Sequence, residues 1–182
     1  MLRSAHPYAT DIQAAYAKAY DDPRFQWFFG AYTDLNLAIP SSDWAAIHYA
    51  SVDESGKVHG HLWAEVDRDA RTVENVGAIC FNPGHSVTFA KDVRRFFARL
   101  LCGGWVRVSW NVEIGNPAES MYDKGIRRLG GRIVGTKRKW RRDRLTGAYR
   151  DCKMYEVLPE DVSPEVMAYL QRIDPLRAWG GK

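Results

Sequence analysis

Residues 72–114 read TVENVGAICFNPGHSVTFAKDVRRFFARLLCGGWVRVSWNVEI, and their periodicity changes twice. Thr72–Phe81 is rich in β-branched and small apolar residues and reads as a strand. Phe89, Val93, Phe96, Phe97, Leu100 and Leu101 then fall on one helical stripe, with Lys91, Arg94, Arg95 and Arg99 off it. Gly103-Gly104 ends that helix. Trp105–Ile114 alternates, with Val106, Val108, Trp110, Val112 and Ile114 on the face predicted to be buried. Strand, helix and strand in direct succession make one βαβ unit, so the two strands are expected to run parallel.

On the N-terminal side, Trp44–Val52 and Val58–Val66 flank the turn-forming cluster Asp53-Glu54-Ser55-Gly56-Lys57. A second short turn, Asp67-Arg68-Asp69, leads into Thr72–Phe81. Connections this short admit only an antiparallel meander. Before it, Leu2-Arg3-Ser4-Ala5 reads as a short first strand. Thr10 and Gln13 make a capping box for a helix to about Tyr20, with Ile12, Tyr16 and Ala19 on one face. Asp22-Pro23 signals a second helix, along which Phe25, Phe28, Phe29, Tyr32 and Leu35 recur until Pro40-Ser41-Ser42. On the C-terminal side, Asn116-Pro117-Ala118-Glu119 signals a helix with a stripe of Ala118, Met121, Tyr122, Gly125, Ile126 and Leu129, ended by Gly130. Arg132–Trp140 and Tyr149–Leu158 read as a closing hairpin, and Ser163-Pro164 opens a last helix to about Arg172. The organisation predicted is one domain over 1–160, followed by a C-terminal helix and tail over 161–182.

The chain has 182 residues, 46% hydrophobic and 26% charged, which suits one globular domain and excludes wholesale disorder. No apolar run approaches the roughly 20 residues of a membrane-spanning helix, and no apolar signal segment follows Arg3, so a cytoplasmic protein without a membrane partner is expected. Cys80, Cys102 and Cys152 lack CxxC spacing and read as reduced thiols, not a disulfide frame or zinc site. The charge is uneven. The net charge is +4, yet residues 127–150 hold ten Lys and Arg against Asp143 alone. Such a field attracts nucleic acid, an anionic cofactor or an acidic protein, and Trp140 within it can stack on a ring. The alternative is a solvated hairpin whose charge discourages edge-to-edge pairing.

The order strand, two helices, three antiparallel strands, helix, strand, helix, two strands resembles the GNAT superfamily, the GCN5-related N-acetyltransferases. Residues 112–135, VEIGNPAESMYDKGIRRLGGRIVG, resemble the family's strand, Asn, Tyr-bearing helix and Gly-ended turn. Residues 147–157, GAYRDCKMYEV, resemble its closing strand. Length and element order also resemble small GNAT-like proteins encoded by bacteriophages. The resemblance implies an α/β (α+β) fold: a mixed, mostly antiparallel sheet of about seven strands, a central parallel pair splayed at a cofactor cleft, and four to five helices. It also implies an acyl-CoA co-substrate, acetyl-CoA or another, an amine acceptor, and no metal.

Site residues follow from the same resemblance. Backbone at Ile79, Cys80 and Phe81 matches the stretch that orients the thioester. The loop Gly84, His85, Ser86, Val87 and Thr88 matches the one that cradles the pyrophosphate at a helix start. It departs from the family's pattern, because Ser86 stands where an Arg belongs and Val87 and Phe89 where glycines belong. Asn116 precedes the helix bearing Tyr122, which matches the donor of a proton to the departing thiolate. Glu74 matches a carboxylate that serves as general base in some members, with Glu65 and Glu113 as rivals and His85 acting through a water. The acceptor would approach from the side of Trp27, Phe28 and Tyr32.

Two other constellations stand in the sequence. His59 and His61, two apart on a strand with Glu65 and near His48, can be a metal site or the polar outward face of that strand. Cys80 can be a nucleophile or a structural thiol. Two functions remain open: a GNAT-like N-acyltransferase, or an inactive GNAT-fold binding or assembly protein, for example in a bacteriophage particle or on DNA, with an oligomer or assembly partner. The loop at 82–89 discriminates them. Val87 and Phe89 filling the cleft favours the second reading.

Overall fold

Among the described residues, seven strands form one sheet in the order β1-β2-β3-β4-β5-β7-β6. They are β1 (Leu2–Ser4), β2 (Ala46–Val52), β3 (Val58–Asp67), β4 (Thr72–Cys80), β5 (Arg107–Glu113), β6 (Arg132–Arg142) and β7 (Tyr149–Val157). The structure is a computed structural model and describes residues 1–20, 22–28, 39, 43–143 and 146–174. Four α-helices lie among them: α1 (Ala9–Ala19), α2 (Ser86–Cys102), α3 (Glu119–Arg128) and α4 (Pro164–Ile173). The meander β2-β3-β4 is antiparallel, and β4 pairs with β5 in parallel across α2, as the βαβ reading requires. This is the mixed, mostly antiparallel seven-stranded α+β sheet that the family resemblance implies.

The two faces of the sheet are covered separately. On one face α2, α3 and α4 enclose Leu62, Ala64, Val73, Phe96, Leu100, Leu101, Val108, Trp110, Ile126, Tyr155 and Leu170. The α4 helix is part of this core, and Arg99 on α2 pairs with Asp174 just beyond α4 (2.5 Å). On the other face α1 lays Ile12, Tyr16 and Ala19 against Ala50, Val52 and Ile79. The stripe read in α2 is buried or half-buried throughout, and it also holds the buried Asp92. That carboxylate accepts from Ser51 Oγ (2.7 Å) and pairs with the N-terminal amine (3.2 Å), which is how a buried charge is tolerated.

Several local expectations are corrected. The α1 helix does not use the Thr10–Gln13 box. A 3₁₀ turn at His6–Tyr8 runs straight into it and puts Thr10 inside the first turn. Asp22 does accept from Arg24 N–H (3.0 Å), but it opens a 3₁₀ turn, Pro23–Phe25. The longer helix read from there, with Phe29, Tyr32 and Leu35 and its stop at 40–42, lies outside the described residues, as does the tail with Trp179. In β5, Val108, Trp110 and Val112 are buried, whereas Val106 (49% exposed) and Ile114 (42%) fall beyond the strand ends. In α3 the inward line is Tyr122, Ile126 and Leu129, so Met121, one position off it, is 57% exposed. The His59-Trp63 face is not outward-facing. His59 and His61 are buried, His61 directly beneath α1.

Candidate active site

The parallel pair parts almost at once. Thr72 faces Arg107 and Val73 faces Val108, and no further β4–β5 pairing follows. The cause is a bulge in β4. Trp63 pairs with Gly77 and Glu65 with Glu74, so Asn75 and Val76 oppose the single residue Ala64. Asn75 takes the left-handed φ of 49°, which Asn tolerates better than most residues. The extra residue bends β4 away from β5 and opens a gap between them. Phe81 N–H donates to His59 O (2.8 Å), so strand alternation turns the peptide groups of Phe81 and Ile79 toward β3. It turns those of Cys80 and Ala78 toward the gap.

The helix α2 starts where β4 ends and points its positive end at the 82–86 loop. Asn82 Oδ1 accepts from Gly84 N–H (3.1 Å) and Asn82 O from His85 N–H (2.9 Å), which shapes a tight 3₁₀ turn at Pro83–His85. Gly84, Ser86, Val87 and Thr88 are exposed, His85 half-buried. The side chains of Val87 and Phe89 go different ways. Val87 points to solvent at 73% exposure. Phe89 is buried and packs against Gly60 of β3, where an added Cβ would meet Phe89 Cε2 at 2.3 Å. Neither fills the gap beside β4.

Tyr122 sits on the α2–α3 face, half-buried, with its ring 6.3 Å from that of Tyr155. Burial pushes its hydroxyl pKa up, so the phenol keeps its proton at neutral pH. The α3 helix is pinned around it. Glu119 accepts from Gly115 N–H (2.8 Å), and Lys153 bridges Glu119 (2.5 Å) and Asp123 (2.9 Å). Asn116 Oδ1 accepts from Ala118 N–H (2.8 Å), so this side chain shapes the turn before α3.

The opposite, α1-side face of the gap is polar. Glu74 is half-exposed and pairs with Arg107 (2.5 Å). Asn111 Nδ2 donates to Asn75 Oδ1 (3.1 Å), and Asn75 Nδ2 donates to Glu65 Oε2 (2.7 Å). This chain of side chains spans β5, β4 and β3 across the mouth of the gap. Nothing in the sequence reading singled out Asn75 or Asn111. An Asn inside a strand, where that residue type is depleted, is the signal available for Asn75. Beside it the Trp63 indole lies on Gly77, where a Cβ would be 2.1 Å from Trp63 Cζ2.

Glu113, the other rival carboxylate, is buried at the far end of β5 against Arg141 and near Arg150 Nε (3.8 Å). Burial raises its pKa against the pull of both guanidiniums. Arg141 also donates to Gln26 O (2.6 Å) and Arg150 to Gln26 Oε1 (2.7 Å), with the Trp27 ring 4.4 Å from Arg150. The basic stretch is therefore not all surface. Arg132 pairs with Glu156, while Arg141 and Arg150 are spent on internal carboxylates. Trp140 remains 43% exposed, with Lys137 Nζ 4.6 Å above its ring.

The histidines are tied to one another. Tyr16 OH lies 2.9 Å from His61 Nδ1, and His61 Nε2 lies 3.1 Å from His48 Nδ1. Burial lowers the His61 pKa to about 3, so it is neutral. Among the described residues no three His, Cys, Asp or Glu side chains are grouped to hold a metal ion. The thiol pKa values of Cys80, Cys102 and Cys152 are all raised by burial, the reverse of an activated nucleophile. No helix among the described residues is long and apolar enough to cross a membrane.

No protein-family model and no curated protein matches the sequence. Solved structures do match in shape. A GCN5-related N-acetyltransferase from Brucella melitensis superposes with a TM-score of 0.63 at 22% identity, over 96% of this chain and 82% of that one. Spermidine N-acetyltransferase from Vibrio cholerae, in complex with CoA and spermine, gives 0.64 at 16% identity, over 88% of this chain and 96% of that one. With a meander, a βαβ unit whose parallel strands part at a bulge, and a closing hairpin, this chain has the fold of the GCN5-related N-acetyltransferases.

Proposed function

We propose that the protein is an N-acyltransferase that moves an acetyl or other acyl group from acyl-CoA to an amine. The observation that carries this reading is the parting of β4 from β5 beside the start of α2, with Val87 and Phe89 both turned out of the gap. Side chains of Val87 and Phe89 filling the gap would have favoured the inactive assembly reading. The neighbour bound to CoA and spermine lends further support to an acyl-CoA and amine pair.

Each residue has a task that the geometry suits. The loop 84–88 at the positive end of α2 holds the pyrophosphate. The peptide groups of Ala78 and Cys80, facing the gap, orient the thioester. Glu74, on the α1-side face, takes a proton from the incoming ammonium, because only a neutral amine can attack. The new N–C bond forms as the C–S bond breaks. Tyr122, on the other face with its hydroxyl kept protonated, gives its proton to the departing thiolate, and the second proton shed by the acylated nitrogen restores the Tyr122 hydroxyl through solvent.

The test is calorimetry with acetyl-CoA, followed by a thiol-release assay over a panel of primary amines. Micromolar binding and turnover with at least one amine are expected. Tyr122→Phe keeps the ring packing and is expected to lower kcat about 100-fold with little change in acetyl-CoA affinity. No binding at millimolar acetyl-CoA would refute the reading.

A further inference from the structure

The loop departs from the glycine-rich pattern of its family, yet the structure holds it in one shape through a chain of side chains that starts far from it in sequence. Asp53, in the β2–β3 turn, accepts from Ser55 N–H (2.9 Å), Ser55 Oγ (2.6 Å) and Lys57 N–H (3.0 Å). Its fourth partner is the buried His59, whose Nε2 lies 2.9 Å from Asp53 Oδ2. The hydrogen bonds from Ser55 and His59 hold the Asp53 pKa far below the usual carboxylate range, so it only accepts. His59 Nε2 must then carry the hydrogen, and in the neutral ring Nδ1 is left as an acceptor.

That acceptor faces Asn82. Asn82 Nδ2 lies 3.4 Å from His59 Nδ1, the longest link of the chain. An amide that turns its NH₂ toward His59 must turn its oxygen the other way, and Asn82 Oδ1 accepts from Gly84 N–H (3.1 Å). The His85 ring stacks on His59 with centroids 3.5 Å apart and planes 10° from parallel. The carboxylate thus fixes the tautomer, the tautomer fixes the amide, and the amide fixes the loop. We propose that His59, held by Asp53, is the positioning residue of the 82–86 loop, acting through the Asn82 amide on the Gly84 N–H. The consequence is that the cradle for the acyl-CoA phosphates is preset by this relay instead of by glycines. This deepens the acyl-CoA reading and rests on it.

Two substitutions of His59 separate the relay from mere packing. His59→Asn keeps an acceptor near the Nδ1 position but loses the bond to Asp53. His59→Gln keeps a donor toward Asp53 but loses the acceptor toward Asn82. Asn82→Ala, in a half-buried loop position, removes the relay without touching the buried ring. Hydrogen exchange of the Gly84 amide, read by NMR on the labelled full chain, reports the loop directly, and acetyl-CoA calorimetry reports the cradle. Gly84 exchange about tenfold faster and a Kd about tenfold weaker are expected in His59→Gln and Asn82→Ala, the loss of one hydrogen bond of ~1.4 kcal/mol. His59→Asn, which keeps the acceptor toward Asn82 but loses the hold of Asp53, is expected to lose less than His59→Gln, about threefold. Unchanged Gly84 exchange in Asn82→Ala overturns the relay. Equal losses in His59→Asn and His59→Gln overturn it too, since packing alone would then account for His59. Faster Gly84 exchange with unchanged Kd overturns the claim that the relay presets the cradle. Absence of acetyl-CoA binding by the wild type overturns the acyl-CoA reading instead, and Gly84 exchange still decides the relay.

Discussion

Asn75 is where the fold makes its gap, and its backbone offers a direct test. With φ at 49° it sits in the left-handed region, between β3 and β5 partners that hold it there. Replacing it by Val puts a β-branched side chain where L-residues are strained by about 1–2 kcal/mol. Val also loses the two partly exposed hydrogen bonds to Asn111 and Glu65, worth about 1 kcal/mol together at the low end of such values. The sum is about 2–3 kcal/mol. Gly loses the same bonds but relieves the strain, and its extra freedom when unfolded costs at most about 1 kcal/mol. Val thus loses about 2–3 kcal/mol and Gly about 1–2, so the two variants should differ by about 1 kcal/mol, with Val the less stable. In a chain of this size that is a Tm difference of roughly 2–4 °C. Thermal melts and urea titrations of wild type, Asn75→Val and Asn75→Gly measure it. If Val and Gly melt within about 1 °C of each other, the left-handed bulge is not what holds β4 apart from β5.

Other consequences can be measured separately. Gly60→Ala places a Cβ 2.3 Å from Phe89 Cε2 and 2.7 Å from Ile79 O, and should cost about 1–3 kcal/mol in urea titrations. Phe89→Leu in the same chain should recover part of that loss, a coupling that a double-mutant cycle reads. Asp143 is held down to about 2, first by Thr146 N–H (2.8 Å) and then by Arg150 (2.7 Å). Its pKa is lower folded than unfolded, so its stabilisation is complete above about pH 4 and is lost as pH falls through about 2. Asp143→Asn should accordingly lose less stability than wild type between pH 5 and pH 2, as urea midpoints at the two ends would show.

Much of the fold is legible from residue type because it rests on periodicity. Phe96, Leu100 and Leu101 mark the buried stripe of α2, and Val108, Trp110 and Val112 the buried face of β5, at the positions where the structure buries them. Shortness of the turns at 53–57 and 67–71 dictates antiparallel pairing, and the helix between β4 and β5 dictates the parallel pair. The strand-end errors at Val106 and Ile114 have one cause. Alternation says which face a residue takes but not where the neighbouring strand stops. The same limit explains the histidines. His59, Gly60, His61 and Leu62 alternate like a half-exposed strand, yet all four are buried, because α1 covers part of the second face and no local pattern in β3 announces it.

The loop at 82–89 was harder to read, for a reason that bears on function. Aligned to a glycine pattern, Val87 and Phe89 look like two obstructions of the same kind. In three dimensions they are a helical second and fourth residue, about 200° apart around the α2 axis. One must point out if the other points in, and the in-pointing Phe89 is accommodated by a glycine that is not in the loop at all but across the sheet at Gly60. A phosphate loop needs reachable backbone and a fixed shape. Glycines in the loop supply the reach in one way, and on the acyl-CoA reading proposed above the reach here comes from a helix phase that sends bulky side chains elsewhere. Fixed shape is a tertiary property in either case, and in this chain its supports, Asp53 and His59, lie 29 and 23 residues before Asn82. A motif comparison confined to consecutive residues registers the missing glycines and passes over both compensations.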